Sequence, residues 1–230
     1  MSRITKFKKF SQINRNIIDH PKIKYDTLKR RKWLKLKTNL PSKLTDYGTL
    51  LNSKQVLRMF YGNIKEKKLR QIFKKSKSLK GDQILNFIRL LESRLDVVLF
   101  RLRFSNSFNE IHQMISHKHI LVNGEIINSN GFLLNPGDHI TINEKSFDTI
   151  YQNVFNSLKN YVRLKDREEP ISTTTFIEKH SLALAPNYLE VNYNILEGIF
   201  LYLPTLEEIK YPSYINYDSI LEYYKYKVKL

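Results

Sequence analysis

Apolar positions recur along this chain at two periods, and the change between them marks out its elements. Ile84, Ile88, Leu91, Leu95, Val98 and Leu102 are spaced 4, 3, 4, 3 and 4 residues apart, the buried stripe of a single helix. Arg94 and Arg101 lie off that stripe. Arg103 to Asn106 reads as a loop. Ser107 and Glu110 then make the S-x-x-E pattern of a capping box, which opens a second helix running to about His117. Two helices with a short turn between them suggest a helix-turn-helix. The period then falls to two. Ile120-Leu121-Val122, Asn123-Gly124 and Glu125-Ile126-Ile127 read as strand, tight turn and strand, because Asn-Gly suits the positive φ angles of a type I′ turn. Asn135-Pro136-Gly137-Asp138 is a further turn, followed by a short strand at Ile140-Thr141-Ile142. Residues 83–143 therefore predict a compact unit of two helices and three strands.

Upstream, residues 49–78 read as helix, with Leu57, Phe60, Tyr61, Ile64, Leu69, Ile72 and Phe73 apolar and Gly62 placed to break it in two. Downstream, residues 146–185 start helical at Ile150, Val154, Leu158 and Tyr161, then become polar and irregular. Residues 186–230 are strand-like near Leu189 to Val191 and end in a tyrosine-rich stretch with helix from Asp218. The predicted class is α+β. The terminal tyrosines are read as core or a protein interface rather than as stacking platforms for bases.

Charge changes the picture more than composition does. The 230 residues hold 39 Lys+Arg against 22 Asp+Glu, a net charge of +17. Residues 1–80 hold 24 and 4, residues 81–145 hold 6 and 7, and residues 146–230 hold 9 and 11. One third of the chain carries the whole excess, which favours a polyanionic partner: nucleic acid or an anionic membrane surface. The absence of cysteine excludes disulfides, thiolate metal sites and cysteine nucleophiles. No apolar run approaches the roughly 18 residues of a membrane-spanning helix. Residues 1–44 are read as a basic RNA-binding arm in preference to a mitochondrial presequence, which is usually richer in Arg and Ser. Lys, Ile, Asn, Tyr and Phe are abundant and Ala is rare, which points to an A/T-rich genome.

A charge stripe is ordinarily a solvated face, and such faces mix signs. Between residues 49 and 78 the only acid is Glu66. Lys54, Arg58, Lys65, Lys68, Arg70, Lys74 and Lys75 are therefore read as phosphate contacts. Arg94, Arg101, Arg103, His117, Lys118 and His119 make a second candidate patch. Arg94 has an alternative as the ion-pair partner of a nearby acid such as Glu92. His112, His117 and His119 do not share a helix face, so no metal site is expected. No catalytic group and no cofactor is expected either.

The segment Leu91-Glu92-Ser93-Arg94-Leu95-Asp96, then Arg101, then Ser116 through Gly124, resembles the small RNA-binding module of ribosomal protein S-four. Several other proteins carry that module, pseudouridine synthases among them. The flanks narrow the choice. Thr45-Asp46-Tyr47-Gly48, Lys54-Gln55, Arg58 and Tyr61-Gly62 resemble the helical-domain signature of the ribosomal protein itself. Asn187 to Val191, Glu197 to Phe200, Pro204 and Ile220 to Tyr224 resemble its C-terminal ending.

The resemblance implies a mostly helical domain with the helix-turn-helix and hairpin module inserted into it. The expected order is a basic arm at 1–44, helical domain at 45–87, module at 88–145, insert at 146–185, and a return to the helical domain at 186–230. It also implies a structural, non-enzymatic role in the small ribosomal subunit. There the protein would bind ribosomal RNA, nucleate assembly, contact neighbouring ribosomal proteins and line the region where messenger enters. Neither a membrane nor a small-molecule substrate is implied. The expected compartment is the mitochondrion, with chloroplast and bacterial cytoplasm as alternatives. The competing function is an RNA-modifying enzyme using the module for targeting. Asp96 would then be its acid, but Val97-Val98-Leu99 follow where such synthases continue Thr-Ser-Gly. Phe108 and His112 stand where many family members carry arginine.

Overall fold

The computed structural model describes residues 45–105, 107–148, 150–152, 154–155, 185–209 and 215–228. The expected arm at 1–44 and most of the expected insert lie outside the described residues. The elements are α1 (Asp46–Phe60), α2 (Glu66–Ser78), α3 (Gln83–Glu92), α4 (Leu95–Arg101), α5 (Phe108–Ser116), β1 (Ile120–Val122), β2 (Glu125–Ile126), β3 (His139–Ile142), β4 (Leu189–Asn192), β5 (Glu197–Phe200) and α6 (Tyr217–Val228). The chain is α+β. It divides into two compact units, one running to Lys74 and resuming at Lys210, the other running from Lys75 to Ile209.

In the first unit, Thr45 caps α1 by accepting a hydrogen bond from the Gly48 N–H at 3.2 Å. Gly62 and Asn63 follow the helix at φ of 72° and 59°, so the chain turns where the glycine predicts a break. α1 packs against α6. Leu57, Tyr61, Leu69, Phe73, Ile220, Tyr223 and Tyr224 are buried, and the Phe73 and Tyr224 rings stack with centroids 4.6 Å apart. Tyr223 and Tyr224 are thus core residues.

In the second unit the apolar stripe is as predicted, but the single helix is not. Ile88, Leu91, Leu95, Val98 and Leu102 are all fully buried. Burying each such side chain contributes about 1.5–3 kcal/mol. Yet the chain leaves the helix between α3 and α4, where Arg94 is extended at φ −73° and ψ 136°. The loop after β2 causes the break by capturing backbone groups there. Leu134 N–H donates to the Ser93 carbonyl at 2.8 Å, and Leu95 N–H to the Phe132 carbonyl at 2.9 Å. Periodicity persists across a break when both pieces bury the same side.

Ser107 caps α5, its hydroxyl accepting from Glu110 N–H at 3.3 Å. The reciprocal half of the predicted box is altered. Ser105 accepts from Ser107 N–H and donates to the Glu110 carboxylate, so a hydroxyl stands between the usual partners. Asn123 and Gly124 turn the hairpin at φ 50° and 84°, as a type I′ turn requires.

The sheet is antiparallel with strand order β2-β1-β3-β5-β4. His139 faces Ile199 and Ile140 faces Gly198 across β3 and β5. This differs from the expectation that residues 186–230 return as one piece to the helical domain. The β4–β5 pair hydrogen-bonds to the module's last strand, and α6 packs on α1. Residues 75–87 likewise fall in the second unit rather than the first. Gly198 allows the sheet to close on the helices: a Cβ there would lie 2.7 Å from Leu102 Cδ1.

Candidate nucleic-acid interface

α2 is amphipathic in a particular way. Leu69, Phe73 and Ser76 are buried, while Lys67, Lys68, Lys74, Lys75 and Lys77, and Lys65 just before the helix, are exposed. The one acid of the stretch, Glu66, is turned away from these lysines. Its carboxylate pairs with Lys54 at 3.1 Å and accepts from the Tyr224 hydroxyl at 3.4 Å. Glu66 therefore offers little neutralisation to the exposed cations, and among the described residues no carboxylate is paired with them.

The same pairing corrects the reading of Lys54. Its side chain is buried, and its ammonium also donates to the Tyr223 hydroxyl at 3.1 Å. A buried, paired ammonium positions α1 against α6 and does not face phosphate. Arg58 is half-buried, and its Nε donates to the Ile64 carbonyl, which ties the turn after α1. Arg70 is also half-buried, and its buried Nε has no hydrogen-bond acceptor among the described residues.

In the second unit, Arg94 is corrected in the same way. It is 5% exposed and grips Asp96 with two hydrogen bonds of 3.0 and 2.6 Å. Asp96 also meets His112 Nε2 at 3.0 Å. The ion-pair alternative for Arg94 holds, with Asp96 as partner in place of Glu92. Burial alone would push the Asp96 carboxyl up, but hydrogen bonds from His112 and Arg94 outweigh it and hold the group below its ordinary 3.8. Arg101 grips Glu92 at 3.1 and 2.8 Å, and the Tyr188 hydroxyl donates to the same carboxylate at 3.0 Å. Burial, reinforced by Glu92, raises the Tyr188 hydroxyl well above its ordinary value. Arg94 and Asp96 thereby tie the start of α4 to α5, and Arg101 and Glu92 tie α4 to α3 and to Tyr188 before β4.

His117, Lys118 and His119 are brought together at the turn from α5 to β1. Lys118 sits at φ 63°, the left-handed position that ends a helix, and His119 N–H donates back to the Met114 carbonyl at 3.1 Å. The two imidazoles lie 5.7 Å apart at 30°. Ser146 Oγ is hydrogen-bonded to His119 Nδ1, which places exposed Lys145 next in sequence to a residue of this cluster. Arg103 is half-buried, with its guanidinium carbon 6.0 Å from the centre of the Phe100 ring. Lys67, Lys77 and Lys145 escape a reading by stripe, because their exposure depends on which face each element buries.

Two family models divide most of this chain. Residues 1–92 match the ribosomal protein S4/S9 N-terminal domain, and residues 93–140 match the S4 domain. A small ribosomal subunit protein uS4 of Methylobacterium nodulans is 34% identical over 182 residues, 79% of this chain and 78% of that protein. The chain belongs to the uS4 family. Within it, the uS4 protein of Rhizobium meliloti is 32% identical over 183 residues, covering 80% of this chain and 78% of its own. The protein named uS4m of Reclinomonas americana is 34% identical over 178 residues, 77% of this chain and 65% of that one. These relatives set aside the RNA-modifying enzyme, since they carry ribosomal names across both the module and its flanks.

Proposed function

We propose that this protein is a structural component of the small ribosomal subunit that binds small-subunit ribosomal RNA through two basic surfaces. It is not an enzyme. The observation that carries the reading is the lysine face of α2, from which Glu66 is withdrawn into a pair with Lys54. Lysines without neighbouring acids attract phosphate and release condensed counterions on contact. Lys65, Lys68, Lys74 and Lys75 act there, with Arg58 and Arg70 beside them. The α5–β1 turn presents His117, Lys118 and His119, and Arg103 belongs to the same module. Exposed Leu201, Tyr202 and Leu203 support contact with neighbouring ribosomal proteins. A role in nucleating assembly and at the messenger's way into the subunit follows from the family resemblance.

The compartment we infer is the mitochondrion. The Reclinomonas relative with its uS4m name, and a composition rich in Lys, Ile, Asn, Tyr and Phe and poor in Ala, support this. The test is sedimentation of an epitope-tagged chain from fractionated cells through a sucrose gradient. It should travel with small-subunit ribosomal RNA in the mitochondrial fraction, and ribonuclease should return it to the top. A chain that stays at the top without ribonuclease would overturn the ribosomal reading. Co-migration with chloroplast or bacterial subunits would overturn only the compartment.

A further inference from the structure

Residues 81–145 hold 6 Lys+Arg and 7 Asp+Glu, and two of those cations, Arg94 and Arg101, are bound to internal carboxylates. Long-range attraction is therefore weak in this stretch, and contact with RNA there draws on a source besides charge. The joint between α4 and α5 provides one. Phe100, in the last turn of α4, and Phe108, the first residue of α5, stack with centroids 4.4 Å apart and planes at 17°. Phe100 packs against the hydrophobic core, whereas Phe108 is not among the residues of that core. Phe108 is thus the outer ring of a two-ring stack, half-buried, with one face covered by Phe100. The Ser107 cap and the Ser105–Glu110 link fix the start of α5 and so hold that ring in place. His112 lies 6.4 Å from it at 55°, and Arg103 lies near the inner ring.

We propose that the Phe100–Phe108 stack is a binding site for one unpaired nucleobase of RNA, which lies on Phe108 and extends the stack. This rests on the RNA-binding reading above. An apolar ring held by a fixed backbone loses little entropy when a base settles on it, and every base has a face to offer. The Arg103 guanidinium, close to the inner ring, lends a cation to the nucleotide's phosphate or its edge. Base stacking is insensitive to salt, so this contact separates experimentally from the lysine contacts of α2.

The test uses the full chain and a transcript of the small-subunit ribosomal RNA from the same genome, titrated at several salt concentrations. Phe108→Leu keeps an apolar side chain but removes the ring. It should weaken binding by about 5- to 150-fold, the range for losing one base–aromatic stack, with the log-log salt slope unchanged. In a Trp33→Phe background, which removes the chain's one tryptophan, Phe108→Trp should retain the affinity of that background. Its fluorescence should be quenched by the RNA. Unchanged affinity in Phe108→Leu, or no quenching in Phe108→Trp, would overturn the stacking site and leave Phe108 a packing residue. A weakened Phe108→Leu with a flattened slope would also overturn it, since the loss would then be of phosphate contacts. A wild-type chain that does not bind the transcript would instead overturn the RNA-binding reading on which the site rests.

Discussion

Arg94 and Asp96 stand two positions apart, and neither charge reaches solvent. A buried pair is weak evidence of net stability, but leaving one member alone is costly. Arg94→Ala strands the Asp96 carboxylate against His112 only. It should lower unfolding free energy by about 3–5 kcal/mol, read from urea denaturation. A loss below about 0.5 kcal/mol, in the range of an ordinary surface change, would show that the pair carries no structural weight. The lowered Asp96 carboxyl also sets a pH dependence. Because the folded group sits below 3.8, its contribution is present above that value and is lost as pH falls through the folded pKa. The stability gap between wild type and Asp96→Asn should therefore narrow on acidification below about pH 4. A gap that widens would reverse the assignment. Sequence identified these residues as chemically notable but not which way they face. Arg94, Lys54 and Lys68 are equally basic on paper, and only the packing distinguishes the first two, buried against carboxylates, from the third.

Gly198 carries the corresponding argument for elements. It lies in β5 opposite Ile140, with its missing side chain facing Leu102 at the end of the buried stripe. Gly198→Ala should destabilise by about 1–3 kcal/mol, because Leu102 is fully buried and has little room to move. The chemical-denaturation midpoint measures this, and a stability equal to wild type would mean the contact relaxes freely. Helices, caps and the Asn123-Gly124 hairpin were legible from the sequence because their signals are local. The pairing of β3 with β5 was not: His139 and Ile199 are 60 positions apart, and a period of two marks a strand without naming its neighbour. The break between α3 and α4 was hidden for a related reason. The Phe132 and Leu134 backbone groups that hold it open come from a loop some 40 residues onward in sequence.

At the scale of the whole molecule, charge is segregated along the chain: residues 1–80 are net basic and the remaining 150 nearly balanced. Affinity for RNA should accordingly depend on salt through the cations of residues 1–80, the lysines of α2 among them, while the module contributes contacts that salt affects less. The most direct test is the salt dependence of binding between the full chain and its small-subunit ribosomal RNA, compared with a Lys65→Glu, Lys68→Glu, Lys75→Glu variant. Each lost phosphate contact should flatten the log-log slope by about 0.7–0.9, so the variant should bind more weakly with a slope shallower by about 2 to 3. A variant with wild-type slope and affinity would make α2 a merely solvated face and contradict the account.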